Sequence, residues 1–256
     1  SLSTSLIPYE NIMFEIQFDL TDHQLIIQTS NGKKNSIQLQ SYTVSEFYEE
    51  TMRTLQNLGI NIKIWPVPVE TEDTTPFNQD RIHRSYDKIQ AHNFWRILVN
   101  SEKVMQQFRS RFIGKCSPIH FFWGGFDLAV TRFSGRKAPL HPSMPNLADF
   151  VTQEAYSHEV SSCGFWPGGG IIREPVYYSY AYPEPPGFKN MPVFPKSAFY
   201  SEDLHEFLLP YNSVHTSANP EKELLSFFHS TYNAAAETAH WDRTNLERKP
   251  IPKIDP

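Results

Sequence analysis

A strict two-residue alternation near the start of the chain constrains the fold most. Apolar side chains occupy every even position over residues 12–20, and mainly polar ones lie between them. This is the period of a β-strand that is buried on one side. Segments 24–30 and 36–40 flank Asn31-Gly32, a dipeptide that tolerates the positive φ angles of a tight hairpin turn. The sequence therefore predicts an antiparallel meander.

Helical patterns follow this meander. Thr43 and Glu46 have the spacing of a capping box, and apolar residues continue at helical spacing as far as Gly59. A second helix is predicted over residues 87–113, with a break near Asn100-Ser101, and a final helix begins at Asn219-Pro220. Asn146 is predicted to cap a short helix, and residues 60–64 to form a further strand.

These elements predict an α+β protein in which antiparallel sheets are covered by helices. We expect one compact unit over residues 1–256, with two similar β-then-helix halves, 8–65 and 116–241, around a cleft. The helix over 87–113 would join the halves. The evidence for duplication is a short sequence pattern that two predicted helices share. Chance similarity between two amphipathic helices is the alternative explanation of this pattern.

Composition narrows the class of protein. Of 256 residues, 39% are hydrophobic and 14% aromatic, and the net charge is −5 without a basic stripe, which argues against nucleic acid as a partner. Two cysteines make no disulfide framework, and no apolar run approaches the ~20 residues of a membrane helix. We therefore expect a soluble, cytoplasmic protein without a membrane partner. Because the first residue is Ser1, we also expect a segment upstream.

Residues 119–133 contain candidate reactive side chains and an interrupted alternation of apolar and polar positions. The apolar positions switch from odd to even numbers across Gly124-Gly125, and a β-bulge there restores one continuous apolar face. The opposite face then carries His120 and Asp127. A carboxylate beside an imidazole suits a metal ligand with its supporting group, or a general base with the group that orients it. The alternative is a polar pair on an exposed sheet face.

Three more charged residues extend this candidate site. His158 and Glu159 begin a predicted strand, and we expect His158 to join His120 as a metal ligand or acid/base group, with Glu159 as a carboxylate partner. Arg132 is the candidate anchor for an anionic group, although an arginine after a strand is often only solvated. Cys163 is a candidate nucleophile or a small buried residue.

An aromatic wall offers a different function. Trp166 precedes a glycine run, and several tyrosines alternate along the next predicted strand. With Trp123 they suit the binding of a planar or apolar small molecule. The candidate ligand-binding residues are Trp123, Arg132, Trp166, Tyr178 and Tyr180.

Two long motifs carry a family resemblance. The stretches GKCSPIHFFWGGFDLAVTRFSGR and EAYSHEVSSCGFWPGGG, with YAYPEP and FLLPY, are similar to a bacterial family known only as a domain of unknown function. The resemblance covers nearly the whole chain and implies no catalytic role for any residue. It also implies that family members begin some tens of residues earlier.

The sequence thus favours a small-molecule enzyme with a histidine and carboxylate site, at which the cofactor is unknown and a transition metal is one option. The alternative is a non-catalytic binding protein for an aromatic or apolar small molecule. A third interpretation, an interaction module, predicts a large exposed apolar patch. The oligomeric state is not predicted.

Overall fold

The computed structural model describes residues 1–69, 71, 73–144 and 147–249. It divides into two compact units, Ser1–Ile97 and Leu98–Pro256, which are described separately. The helix α2, Lys88–Ser110, contains the boundary between them. Asn146, the predicted helix cap, lies outside the described residues.

The first unit contains a five-stranded antiparallel sheet and the helix α1. Its elements are β1 (Leu2–Ser3), β2 (Ile7–Tyr9), β3 (Ile12–Asp19), β4 (Gln24–Thr29), β5 (Lys34–Gln38) and α1 (Val44–Asn57). Strands β3, β4 and β5 form the predicted meander, with Gly32 at a φ of 87° in the turn. The Thr43 hydroxyl accepts from the Glu46 amide at 3.1 Å, and the Glu46 carboxylate accepts from the Thr43 amide at 2.8 Å, so the capping box is confirmed.

The predicted strand over residues 60–64 is wrong. After Gly59, the Ile60 amide donates to the Leu55 carbonyl at 2.9 Å, which closes the end of α1. The Ile60 side chain is 1% exposed and packs with Phe14 and Leu55 in the core, whereas Ile64 is 47% exposed. No strand of the described chain pairs with residues 60–64. The alternation of isoleucines therefore reflects the burial of Ile60 directly after the helix and does not mark a strand.

The second unit contains a six-stranded antiparallel sheet in the order β10-β11-β9-β8-β7-β6. Its strands are β6 (His120–Phe122), β7 (Asp127–Lys137), β8 (His158–Trp166), β9 (Val176–Tyr182), β10 (Phe199–Ser201) and β11 (Glu206–Pro210). Its further helices are α3 (Asp149–Ala155), α4 (Tyr211–His215), α5 (Pro220–Thr238) and α6 (Arg243–Leu246). The predicted start of α5 is confirmed, since the Asn219 side chain accepts from the Lys222 amide at 3.1 Å.

Helix α2 continues through the predicted break near Asn100-Ser101. Ser101 is fully buried, and its hydroxyl lies 3.1 Å from the Tyr177 hydroxyl. A partner for this hydroxyl removes the penalty of burying a polar group inside the helix packing. The serine that suggested an interruption is therefore a packing residue.

The predicted bulge at Gly124-Gly125 is a hairpin turn. Strands β6 and β7 pair with one another, with His120 opposite Ala129 and Phe122 opposite Asp127, and residues 123–126 connect them. Directly opposed residues share a face of the sheet. His120 and Asp127 therefore share one face, as predicted, although the chain reverses between them.

The two faces of the six-stranded sheet have different covers. We call one the helix-covered face, on which Arg132 contacts Phe108 of α2 and Tyr232 of α5, and Tyr177 contacts Phe228 of α5. We call the other the loop-covered face, since residues of connecting segments pack on it. These residues are Tyr156, Ile172 and Leu204.

The α+β fold with antiparallel sheets is confirmed. The single compact unit and the duplicated halves 8–65 and 116–241 stay predictions. Within the described parts of the chain, no helix has both the length and the apolar character needed to cross a membrane.

Candidate functional site on the loop-covered face

A hydrogen bond between Tyr178 and Asp127 defines the candidate site. The Tyr178 hydroxyl on β9 donates to the Asp127 carboxylate on β7 at 2.5 Å, across the intervening strand β8. Gly164 of β8 lies beneath the tyrosine ring, and a Cβ atom at this position would be 2.6 Å from the Tyr178 hydroxyl. The absence of a side chain at Gly164 is therefore what lets the ring reach the carboxylate.

Further hydroxyl groups extend this contact along the sheet. The rings of Tyr178 and Tyr180 are stacked with centroids 6.2 Å apart, and the Tyr180 hydroxyl lies 2.9 Å from that of Tyr156. Thr131 and Ser162 pair at 2.9 Å on the same face. Burial raises the pKa of Tyr178 and of Tyr180 well above the ordinary value of 10, so both phenols are neutral hydrogen-bond donors at physiological pH.

Glu206 is the functional candidate that the sequence interpretation missed. It begins β11, one residue before Phe207, which is paired with Ser179. Burial, and secondarily the negative charge of Asp127, raise the pKa of its carboxyl from 4.5 to about 7. A carboxyl group with such a pKa exchanges its proton near physiological pH.

His120 lies on the same face as Asp127. Its ring makes an edge-on contact with that of Phe122, with centroids 4.4 Å apart. Burial lowers the pKa of this imidazole, and the charge of Asp127 opposes the effect. A half-buried, neutral histidine near a carboxylate fits the predicted role of an acid/base group.

His158 lies at the other end of the sheet, so the predicted metal pair is wrong. His158 is paired with Lys137, whereas Gly164 aligns through Ala129 with His120. Six residues of strand separate these positions, or about 20 Å at the usual rise per residue. No group of three or more histidine, cysteine, aspartate or glutamate side chains among the described residues could hold a metal ion.

Glu159 is also distant in the sheet and belongs to a different pocket. Its carboxylate accepts from Arg136 at 3.0 and 2.7 Å, and Arg136 donates to the Ala239 carbonyl at 2.5 Å, near the C-terminal end of α5. These groups line a pocket of about 270 Å³ together with Trp241. Glu159 therefore forms an ion pair and is no partner for His120.

Arg132 is not an anion anchor, because it is 1% exposed and lies on the helix-covered face. The carbon at the centre of its guanidinium group is 3.4 Å from the ring centre of Phe108 and 4.2 Å from that of Tyr232, and the group donates to the Phe108 carbonyl. Burial lowers its pKa. Aromatic rings and the end of α2 thus hold this cation inside the protein.

The two candidate tryptophans differ in their surroundings. Trp166 packs against the cluster that contains Tyr178 and Leu208, next to the Asp127 contact. Trp123 lies in the β6–β7 turn, is 41% exposed and makes an edge-on contact with Phe121. Cys163 faces the helices and is buried; burial raises its pKa, so it is a packing thiol and not a nucleophile.

Comparisons with known proteins place the chain in a family. No curated protein and no solved structure shows significant similarity to it. The model of one family, described as a family of unknown function (DUF5996), matches residues 1–248. Because this match covers nearly the whole chain, the protein belongs to the DUF5996 family.

Proposed function

We propose that this protein is a cytoplasmic enzyme that transforms a small molecule by acid–base chemistry on the loop-covered face. The observation that carries the proposal is the 2.5 Å hydrogen bond from the buried Tyr178 hydroxyl to Asp127. A half-buried carboxylate that is oriented by a neutral phenol is an arrangement typical of proton-transfer sites.

Two carboxyl groups in unlike surroundings support this function. Asp127 accepts a short hydrogen bond from Tyr178, and its negative charge acts on both Glu206 and His120. Glu206 is half-buried and close enough to feel the charge of Asp127, and its pKa is raised to about 7. Where neighbouring carboxyl groups differ in this way, one holds charge while the other moves the proton.

We assign the roles accordingly. Glu206 acts as the general acid or base, Asp127 stabilises positive charge or takes up a proton, and Tyr178 fixes the position of Asp127. His120 is a second proton-transfer group, since its neutral ring lies on the same face.

A non-catalytic binding protein is the second candidate. The aromatic side chains of the β6–β7 hairpin favour it, because Phe122, Trp123 and Phe126 are each more than 40% exposed. Such rings suit an apolar or aromatic ligand whether or not it reacts.

One experiment separates the two functions. The wild-type protein is incubated with a bacterial metabolite extract, and mass spectrometry follows both consumed and retained compounds. We expect a compound to be consumed by the wild type and by Glu102→Gln, an exposed carboxylate of α2, but not by Asp127→Asn. Retention of a compound without any conversion would support the binding protein instead.

A further inference from the structure

A second pocket lies at the C-terminal end of α5, away from the candidate acid–base site. We call it the α5-end pocket. Its volume is about 270 Å³, and its lining includes Arg136, Glu159 and Trp241. Glu159 is two residues from Ser161, which is opposite Arg132, so its side chain belongs to the helix-covered face. The acid–base proposal therefore makes no use of this pocket.

Most of the lining of the α5-end pocket is apolar. Val160, Ala181 and the indole ring of Trp241 contribute to it, together with three prolines at positions 183, 185 and 186. Proline has a fixed φ angle and no backbone N–H group. This part of the lining is therefore stiff and has few hydrogen-bond donors, which suits the flat hydrocarbon part of a small ligand.

The ion pair of Arg136 and Glu159 keeps unused hydrogen-bonding capacity on both partners. Arg136 donates from Nε and Nη2 to Glu159 Oε2, from Nη2 to the Ala239 carbonyl, and from Nη1 to the His240 carbonyl at 3.5 Å. A guanidinium group has five N–H donors, so one donor on Nη1 remains. Glu159 Oε1 accepts no hydrogen bond from the described residues. The pair thus offers one donor and one acceptor.

Trp241 supplies a second donor. Its side chain is 6% exposed, and its indole N–H donates to no acceptor among the described residues. Only Arg132 Nε and Ser217 Oγ are buried polar side-chain atoms without a partner in the described chain. The indole nitrogen of Trp241 therefore keeps access to solvent, and Trp241 borders the α5-end pocket. An acceptor on a ligand in this pocket would satisfy it.

The charges of the α5-end pocket favour a neutral ligand. Arg136 and Glu159 neutralise one another, and Glu184 accepts from the Tyr200 hydroxyl at 2.5 Å and lies 3.8 Å from His205 Nδ1. A charged ligand of either sign would meet a like charge, that of Arg136 or that of Glu159. A neutral group with an acceptor beside a donor would bind both partners and leave their ion pair intact.

We infer that the α5-end pocket binds a small planar ligand with a neutral carboxamide or lactam group. Arg136 and Trp241 donate to the carbonyl oxygen of this group, and Glu159 accepts from its N–H. The prolines and the indole ring contact the hydrocarbon part. The inference goes beyond the proposed function, since none of the residues assigned to acid–base chemistry lines this pocket.

Four probes with the same benzene ring test this inference. Benzamide carries a carbonyl and an N–H donor, acetophenone carries the carbonyl alone, benzoate is an anion, and benzamidinium is a cation with donors only. Ligand-detected NMR at fixed pH and ionic strength measures their affinities for the wild type and four variants. Glu159→Gln has its control in Glu102→Gln on exposed α2, and Trp241→Phe in Trp65→Phe, at a side chain that is 73% exposed.

We expect saturable binding of benzamide to the wild type that is about tenfold tighter than that of acetophenone, which cannot donate to the Glu159 carboxylate. Glu159→Gln keeps an oxygen for Arg136 but presents an NH₂ donor to the pocket, so its preference should shift from benzamide to benzoate. Trp241→Phe removes one donor and should weaken benzamide severalfold, which provides the test if Glu159→Gln does not fold. Both controls should bind the probes as the wild type does.

Three results would overturn the inference. They are wild-type binding of benzoate or benzamidinium as tight as that of benzamide, absence of benzamide binding, and equal benzamide affinity of the wild type, Glu159→Gln and Trp241→Phe. Each of them would leave the acid–base proposal unaffected, because Asp127 and Glu206 take no part in this pocket.

Discussion

The two faces of the six-stranded sheet hold polar side chains in opposite ways. On the helix-covered face, Arg132 is enclosed by the rings of Phe108 and Tyr232. On the loop-covered face, Asp127 is hydrogen-bonded to Tyr178, whose ring stacks on another tyrosine. Both faces bury polar side chains, Arg132 on one and Tyr178 on the other. The faces differ in the groups that these side chains contact. A buried cation among rings supports the fold, whereas the carboxylate paired with a phenol is the group to which we assign proton transfer in the proposed function.

Adjacent tyrosines show the same contrast at the smallest scale. The Tyr177 hydroxyl lies 3.1 Å from that of Ser101, and burial raises its pKa to about 12. The next hydroxyl, of Tyr178, is directed to the other face and donates to a carboxylate. One residue along a strand thus separates a packing tyrosine from a site tyrosine.

The largest effect is expected at Arg132. Arg132→Ala removes a side chain that fills a fully buried space, and we expect the free energy of unfolding to fall by about 4 kcal/mol. Arg132→Met keeps most of the volume without a buried charge and should lose much less. Urea unfolding measures both. Turnover per folded molecule should stay unchanged; its loss in stably folded Arg132→Met would contradict the separation of the faces.

Gly164→Ala is expected to affect both the fold and the site. The added methyl group would lie 2.4 Å from the Leu128 carbonyl oxygen and 2.6 Å from the Tyr178 hydroxyl, and overpacking of this kind destabilises a protein by about 1–3 kcal/mol. The displaced tyrosine should also lose its contact with Asp127, so ligand affinity should fall. Gly125→Ala is the comparison for stability. A methyl group at Gly125 would meet only the end of the Asp127 side chain, which can move. Equal stability of wild type and Gly164→Ala would refute the role of Gly164.

Glu206→Gln should show a pH-dependent effect on stability. The folded-state pKa of about 7 exceeds the ordinary value of 4.5, so the folded protein keeps a proton that the unfolded chain releases. The wild type therefore loses stability as the pH rises from about 4.5 to 7. Relative to the wild type, Glu206→Gln should gain about 2 kcal/mol at pH 8 compared with pH 4, after allowance for partial exposure. A pH-independent difference between the two proteins would contradict this.

The smallest effect on stability is expected from removing single hydroxyl groups. Tyr177→Phe and Tyr178→Phe should each lower the free energy of unfolding by about 1 kcal/mol, because each removes one buried hydrogen bond. Only Tyr178→Phe should alter ligand affinity or turnover. If both variants changed the site equally, the two faces would not be independent.

Local patterns were sufficient to predict the meander, the capping box and the start of α5. The hairpin at residues 123–126 was mistaken for a bulge, because both arrangements put His120 and Asp127 on one face. The same parity places Arg132 on the side of the apolar residues Leu128 and Val130, which indicates that its side chain faces the core.

The rest of the site depends on strand register, which local patterns do not determine. His120 and His158 belong to neighbouring sequence motifs, but the strand register places them at opposite ends of paired strands. Glu206 joins the site through the pairing of β11 with β9, and no sequence pattern predicted that pairing. Long-range pairing thus decided which polar residues meet.

The pKa of Glu206 tests the central claim most directly. Carbon-13 NMR of the glutamate carboxyl, assigned with Glu206→Gln, follows its titration in the wild type and in Asp127→Asn. We predict a midpoint near pH 7 in the wild type and a lower midpoint in Asp127→Asn, where the negative charge of Asp127 is removed. A Glu206 midpoint near pH 4.5 in both proteins would contradict an acid–base site on the loop-covered face.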